Sequence, residues 1–306
     1  MTAAPGSSEV STAHGLAADQ SVGRSIHLRP VITLFVAVGT AALILPLGQS
    51  LFEVLATRTS VAIAGAATQE TIFTLLVFGA LLTVPVIALT IAKGWPQVPG
   101  PLAPRMAGIG LAIGCGGLVV ATWLAGLASR EIPGAGHAGI GALLAGTLLV
   151  LFQAGTEEIY FRGWLQPALA RAWGNPAGLL VAAAAFAGLH LLGGDRSLLT
   201  IVNLLLGGVL FGLLAQRSGG IALAAAAHFG WNWAESIGLG LDPNPGVGAF
   251  GAIHDIDIVG SAAWGGSSEG LNASIAMTFV LVALVIPAFA WRWKPTGAAP
   301  SVATPG

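Results

Sequence analysis

The amino-acid sequence predicts an all-α, polytopic membrane protein with about eight transmembrane helices. Of its 306 residues, 55% are hydrophobic and only 8% are charged, whereas a soluble domain has about 25% charged residues. The chain also contains eight apolar stretches near the length of about 20 residues that a membrane-spanning helix needs. A surface with so few charges cannot face water on all sides, so we expect these stretches to lie in a lipid bilayer.

The predicted spans follow one another without a change in composition, which indicates a single membrane domain over residues 24–295. Residues 1–23 are rich in Ala, Ser, Gly and Thr and are predicted to form a disordered tail. Residues 296–306 are predicted to form a second disordered tail. The predicted spans are roughly Val31–Phe52, Thr71–Ala92, Met106–Ala128, Ala138–Phe161, Pro176–Leu192, Leu198–Gln216, Ile221–Leu239 and Ala273–Trp291.

The distribution of Lys and Arg predicts the orientation of these spans in the membrane. Cytoplasmic segments of membrane proteins carry an excess of positive residues. Of the 12 Lys and Arg residues, all but Arg58, Arg130 and Arg196 fall on one side of the eight spans. Both termini are therefore predicted to be cytoplasmic, and residues 240–272, which contain acidic residues but no Lys or Arg, to be an external loop. The abundance of Ala and Gly is typical of high-GC bacteria, so we expect a bacterial plasma (inner) membrane.

Two adjacent acidic residues, Glu157 and Glu158, lie at the end of the fourth predicted span. A charge inside hydrocarbon costs about 2.5 kcal/mol or more, so ionisable residues in membrane segments are functional candidates. Glu158 and Arg162 are four residues apart, so their side chains share a helix face and can form an ion pair. Glu157 is then left unpaired about 100° around the helix, where it can act as a general base toward water. The other interpretation is a polar helix end in the headgroup region.

Two later spans also carry polar side chains at helical spacing. His190 follows Phe186 by one turn on the fifth span. His228 and Asn232 are one turn apart on the seventh, and Glu235 lies close to the same face. An imidazole and an amide one turn apart can present two hydrogen-bonding groups to one point. Each group taken alone is also typical of hydrogen bonding between helices.

Several classes of protein are excluded by composition. Cys115 is the only cysteine, so a disulfide framework and a cysteine-rich metal site are excluded. The net charge of −1 provides no basic surface for nucleic acid. The His-Glu-x-x-His sequence of zinc proteases is absent. The expected partners are instead the lipid bilayer and a membrane-associated molecule.

Three motifs occur in order on three spans: Glu-Glu-x-x-x-Arg, Phe-x-x-x-His and His-x-x-x-Asn. Together they resemble the signature of the CAAX protease and bacteriocin-processing (CPBP, or Abi) family of intramembrane metalloproteases. The resemblance covers about residues 149–232. It implies a CAAX prenyl protease-like endopeptidase that hydrolyses peptide bonds of membrane-associated proteins or peptides. In a bacterium we expect a substrate without a prenyl group.

The resemblance also implies a role for the first two motifs. Glu157 matches the base that activates water. Glu158 and Arg162 match the ion pair that supports this base. His190 matches the histidine that helps to hold the water. These groups would therefore lie in one polar cavity inside the membrane.

The third motif and the cofactor follow in the same way. His228 and Asn232 match the pair that polarises the scissile carbonyl and stabilises its oxyanion. Glu157, His190 and His228 are also candidate metal ligands, because two histidines and a glutamate match a catalytic zinc site. A divalent metal such as zinc is thus one option, and direct catalysis by the glutamate is the other.

A different class of function uses the same residues without hydrolysis. In a membrane transporter or channel, Glu157, Glu158, His190 and His228 would relay protons or bind an ion. A membrane scaffold that retains the site without catalysis is a third interpretation. Peptide cleavage distinguishes the first class of function from these two.

The predicted spans place two of the site residues far apart. An ideal fourth span ends near Glu157 at the cytoplasmic side, whereas His190 is near the external end of the next span. For both residues to reach one site, the fourth helix has to continue past Arg162 toward Trp173. We also expect the fifth helix to begin deeper in the membrane and to bend near residues 193–194.

Overall fold

The membrane part of the protein is helical, as predicted. A computed structural model describes residues 9–58, 61, 64–95, 98–100, 103–127, 129–133, 138–193, 196–242 and 248–291. Each of the eight predicted spans coincides with a helix of this structure. The helices are α1 (Glu9–Arg58), α2 (Ala66–Ile91), α3 (Ala103–Gly126), α4 (Ile140–Glu158), α5 (Gln166–Trp173), α6 (Asn175–His190), α7 (Leu198–Ser218), α8 (Ala222–Trp233) and α9 (Ile275–Ala290).

Five of the described helices are long and apolar enough to cross a membrane, which makes the chain an integral membrane protein. Helices α6 and α9 are also apolar but have 16 residues each, and α8 has 12. The total of eight spans therefore stays a prediction. The five long helices are Arg29–Arg58, Ala66–Ile91, Ala103–Gly126, Ile140–Trp173 and Leu198–Ser218.

Helix α1 begins at Glu9, inside the segment 1–23 that was predicted to be disordered. The physical reason is that residues 9–23 contain Ala, Glu and Gln but no proline, so they can continue the helix of the first span. Residues 1–8 and 292–306 lie outside the described residues. The division of the chain into a membrane domain and two tails therefore stays a prediction.

The fourth helix continues well past the two glutamates. A π-helical segment, Ile159–Leu165, joins α4 directly to α5, so one helix runs from Ile140 to Trp173. This confirms the expectation that the fourth helix passes Arg162. π-helical turns are rare and are frequent at functional sites. Gly174 then adopts φ 83°, a conformation that glycine allows, and ends the helix.

The ends of α6 and α8 also depart from a regular α-helix. Helix α6 ends at His190 and is followed by a 3₁₀ turn, Leu191–Gly193. Gly194 lies outside the described residues, so the bend expected at 193–194 stays a prediction. Helix α8 continues as a second π-helical segment, Ala234–Gly238.

Helices α3 and α8 pack closely because α3 presents glycines to the α8 backbone. A Cβ atom at Gly114 would overlap the carbonyl oxygen of Ala227, which is one residue before His228. Small residues allow membrane helices to approach at this distance. The Cys115 thiol also lies 3.2 Å from the carbonyl oxygen of Gly230. Helix α3 thus fixes the position of the helix that carries His228.

We expect Gly114→Ala to destabilise the protein because the added methyl group must push α3 and α8 apart. Such overpacking typically costs about 1–3 kcal/mol of unfolding free energy. Gly116→Ala is the matched control, since a Cβ at Gly116 meets nothing within 4 Å. Thermal unfolding in detergent should show a lower Tm for the first variant alone. Equal Tm values would contradict the close packing of α3 on α8.

A small sheet lies beside the helices, and it was not predicted. Strand β1 (Ser129–Pro133) pairs antiparallel with β3 (Ile256–Gly260), which pairs parallel with β2 (Leu241–Asp242). The sheet therefore connects the segment after α3 with the segment between α8 and α9. Its strands are too short for a clear alternating pattern, although Ile256 and Ile258 alternate with acidic and exposed positions.

Glu269, in the segment before α9, caps the N-terminus of α7. Its two carboxylate oxygens accept hydrogen bonds from the backbone N–H of Ser197, at 3.0 and 3.1 Å. Burial raises the pKa of Glu269, but the hydrogen bonds from Thr200 and Ser197 and the charge of Arg196 outweigh burial, so the pKa lies below its ordinary value. A carboxylate is well placed here because a helix N-terminus favours negative charge.

Candidate active site

The predicted ion pair between Glu158 and Arg162 lies buried among the helices. Arg162 Nη1 donates a hydrogen bond to Glu158 Oε1 at 2.7 Å, and Arg162 Nη2 donates to the carbonyl oxygen of Gly208 at 3.0 Å. Both side chains are almost inaccessible to solvent. A buried ion pair is tolerated only where further hydrogen bonds satisfy its members. The Gly208 carbonyl provides one, and it links the π-helical segment to α7.

Three phenylalanine rings surround the guanidinium group of Arg162. Its Cζ atom lies 4.6 Å from the ring centroid of Phe186, 5.6 Å from that of Phe211 and 5.7 Å from that of Phe161. Aromatic faces attract a cation, and the attraction is stronger where water is excluded. Sequence analysis noted Phe186 but missed Phe161 and Phe211. A signal for Phe211 exists, since it is the aromatic residue between Gly208 and Gly212 on α7.

His228 lies between the two glutamates. Its Nδ1 atom is 2.9 Å from Glu158 Oε1, and its Nε2 atom is 3.9 Å from Glu157 Oε2. Glu158 is paired with Arg162 and can only accept, so Nδ1 carries the proton of this hydrogen bond. The imidazole also stacks on Phe211, with centroids 4.7 Å apart. The ring is thereby held with Nε2 directed toward Glu157.

Glu158 forms the ion pair with Arg162, whereas Glu157 Oε2 lies at the longer distance of 3.9 Å from His228 Nε2. The Glu157 side chain keeps 15% exposure, whereas that of Glu158 has none. Its buried Oε2 atom accepts no hydrogen bond within the part of the chain that the structure describes, and the same holds for the neighbouring Thr156 Oγ1. A buried oxygen without a donor is a place where water or a reacting group binds.

His190 and Asn232 are nearby but less directly connected. His190 Nδ1 is 2.9 Å from the carbonyl oxygen of Phe186, so Nδ1 donates and Nε2 can accept. The Phe186 ring contacts both histidines, with centroids 4.6 Å from His190 and 6.1 Å from His228. Asn232 is half-buried one turn after His228. Its backbone carbonyl oxygen accepts a hydrogen bond from Ser236 Oγ at 2.6 Å.

The segment that carries these residues is similar to one known family. Residues 139–234 match the family described as type II CAAX prenyl endopeptidase Rce1-like. We call residues 139–234 the Rce1-like segment because they are similar to that family. The match confirms the predicted resemblance to the CAAX proteases. No curated protein and no solved structure matches the chain at a significant level.

The Rce1-like segment contains all three motifs. It begins one residue before α4, at 139, and ends one residue after α8, at 234. It therefore includes the helices that carry Glu157, His190 and His228. Helices α1 to α3, the sheet and α9 lie outside this segment.

The candidate metal ligands of the Rce1-like segment are not brought together as a set. Among the residues that the structure describes, Glu157, His190 and His228 do not place three ligand atoms within 4.8 Å of one another. Three protein ligands about 2 Å from one zinc ion need that proximity. This arrangement does not fit a three-residue zinc site. The described residues contain one group with the required spacing, at the sheet: Asp242, Asp255 and Asp257.

A further polar residue of the Rce1-like segment was missed by sequence analysis. Gln166 is buried on α5, and its Nε2 atom donates to the carbonyl oxygen of Gly212 at 3.0 Å. Arg162 makes the equivalent bond to Gly208, one turn earlier on both helices. Two side chains that are one turn apart thus bind two carbonyl oxygens of α7 that are also one turn apart. The spacing of four residues after Arg162, on the same helix face, is the signal that could have identified Gln166.

Proposed function

We propose that the protein is an intramembrane endopeptidase of the CAAX-protease type, acting on membrane-associated proteins or peptides. The main support is one observation, the carboxylate of Glu157 beside a histidine that is fixed by the Glu158–Arg162 ion pair. The Rce1-like segment supports an endopeptidase in general. It does not favour the transporter or channel. The only support for that function is the presence of the polar residues themselves.

The proposed chemistry begins with Glu157. Its carboxylate takes a proton from a water molecule, and the hydroxide attacks the carbonyl carbon of the scissile peptide bond. Glu157 then gives this proton to the leaving amide nitrogen as the C–N bond breaks, so a carboxylic acid and an amine are formed. The absence of a hydrogen-bond donor to Oε2 among the described residues leaves that oxygen available for the water. His190 Nε2 is proposed to accept a hydrogen bond from the same water.

The oxyanion is proposed to be stabilised from α8. His228 Nδ1–H is held by Glu158, which fixes the orientation of the ring. When its Nε2 atom carries a proton, it can donate a hydrogen bond to the oxyanion. The side-chain NH₂ of Asn232, one turn further along α8, provides a second donor. Donors fixed before the reaction stabilise charge that develops in the transition state.

We expect Asn232→Ala to lower kcat about 10²- to 10³-fold with little change in KM, as for other single oxyanion donors. The loss should appear in kcat because the amide acts on the transition state more than on the bound substrate. Steady-state kinetics on a fluorogenic peptide in nanodiscs measures both constants, and His228→Ala should be at least as damaging. Full kcat in the Asn232 variant would show that the amide only joins helices.

The function itself is tested with purified protein. Wild-type protein in nanodiscs should cleave a membrane-associated peptide, and His228→Ala should not. Proton or solute uptake into sealed vesicles, without peptide cleavage, would instead support a transporter. Comparative proteomics of membrane proteins from cells with wild-type protein or the inactive variant would then identify the natural substrate.

The topology belongs to the same proposal. We place both termini in the cytoplasm of a bacterial cell and residues 240–272 outside, because of the distribution of Lys and Arg. Reporter fusions to the two termini and to residue 248 would check this arrangement. A reporter at residue 248 with cytoplasmic activity would reverse it.

A further inference from the structure

We infer that water reaches Glu157 through a passage between α4 and α8. This passage starts at a small cavity that is lined in part by residues 248–251. This inference rests on the proposed function, because hydrolysis consumes one water for every peptide bond that is cleaved. The Glu157 side chain keeps only 15% exposure among apolar helices, so that water needs a route to it. The passage is assigned from the cavity, the polar residues that line it and the register of the two helices.

The cavity lies where α2, α4 and the π-helical end of α8 meet residues 248–251. Its volume is about 30 Å³, and three polar side chains contribute to its lining, those of Glu70, Gln153 and Ser236. A water molecule needs roughly 10–15 Å³ and two to four polar partners. The cavity therefore has both the space and the partners for water, but it is too small for a peptide.

A chain of polar side chains joins α2 to α4 beside the cavity. Gln153 Nε2 lies 3.4 Å from Thr74 Oγ1, and Thr74 Oγ1 lies 3.3 Å from Glu70 Oε1. Thr74 is completely buried, whereas Glu70 and Gln153 are half-buried. Polar residues inside membrane segments are costly and usually line a functional path. These long contacts are also compatible with water joining the same groups.

The register of α4 and α8 connects this cavity to the catalytic centre. The two helices run in opposite directions, so Gln153 and Ser236 line the cavity at one end while Glu157 and His228 approach each other at the other. Asn232 lies between Ser236 and His228 on α8, one turn from each. Ser236 Oγ donates to the backbone carbonyl oxygen of Asn232 at 2.6 Å. Polar residues thus occur one turn apart on each helix from the cavity to the catalytic centre.

The inner end of the passage has unsatisfied acceptors that water would bind. Glu157 Oε2 and Thr156 Oγ1 are buried and have no hydrogen-bond partner among the described residues. Buried polar atoms in folded proteins are nearly always hydrogen-bonded to protein or to ordered water. Water supplied from the cavity satisfies both atoms and places the nucleophile next to the proposed base.

Cysteine labelling tests the passage without measuring activity. Cys115 is the only cysteine, so Cys115→Ala provides a cysteine-free background. Gln153→Cys and Ser236→Cys are then compared with Leu151→Cys, whose position on the same helix α4 is 49% exposed and lines an apolar groove. In nanodiscs, a charged water-soluble thiol reagent should react with the first two at least about tenfold faster, because only a hydrated thiol forms the reactive thiolate.

Equal or slower reaction of both Gln153→Cys and Ser236→Cys, in protein with wild-type Tm, would overturn the passage. The labelling pattern should be unchanged when Glu157→Gln is added, so failure of the proposed function and failure of the passage can be distinguished. In active protein, Gln153→Leu should lower kcat several-fold at unchanged KM, and the polar variant Gln153→Asn should restore most of it. Full kcat in Gln153→Leu would also count against the passage.

Discussion

Glu157→Gln is expected to abolish peptide hydrolysis and to leave the protein folded. Glutamine has the size of glutamate but cannot accept the proton of water, and a general base contributes about 10²- to 10⁴-fold to the rate. The fold should not change, because Glu157 Oε2 accepts no hydrogen bond within the described residues. The two measurements are the cleavage rate of a fluorogenic peptide and the Tm in detergent. Residual activity close to wild type would remove Glu157 from the mechanism.

Arg162→Ala is expected to reduce the amount of folded protein. The substitution leaves Glu158 as a buried charge without its main partner and removes the hydrogen bond to Gly208. Breaking a buried ion pair typically costs about 3–5 kcal/mol of unfolding free energy. Expression level and Tm measure this loss, and activity should fall with them.

Arg217→Ala is the matched control for this second variant. Arg217, on α7, also donates to a carbonyl oxygen, that of Phe289 at 2.8 Å, and also lies over an aromatic ring. Its hydrogen bond is exposed to solvent, so its loss should change Tm only slightly. If Glu157→Gln and Arg162→Ala lost folded protein equally, both glutamates would be structural, and the proposed base would be wrong.

Much of the fold follows from the hydrophobic pattern. Each predicted span coincides with a helix because a run of about 20 apolar residues has few other stable conformations in a bilayer. The π-helical segments were not predicted, since Ile159–Leu165 has the same kind of composition as an ordinary helix. The sheet was missed because β1 and β3 pair across more than 100 residues of chain, a contact that no local pattern indicates.

In the site, too, a contact that is local in the sequence was predicted, whereas contacts between distant residues were not. The ion pair between Glu158 and Arg162 is local, and its spacing of four residues was sufficient to predict it. The hydrogen bond from His228 to Glu158 joins residues 70 positions apart, so only the packing of α8 on α4 produces it. Sequence analysis assigned His228 to the substrate carbonyl, to a metal or to a proton relay, and not to this bond. The bonds of Arg162 and Gln166 to carbonyl oxygens of α7 were missed for the same reason, because backbone acceptors carry no signal in the sequence.

A single oxygen atom, Glu158 Oε1, accepts hydrogen bonds from both Arg162 and His228. The first bond stabilises the fold, and the second holds the imidazole ring in one orientation. Replacing a buried ion pair with well-packed apolar residues is often neutral or stabilising in other proteins. Here the same replacement would release His228 from this fixed orientation. Thermostability and turnover therefore cannot be selected independently at this position, and screens for more stable variants should recover inactive protein there.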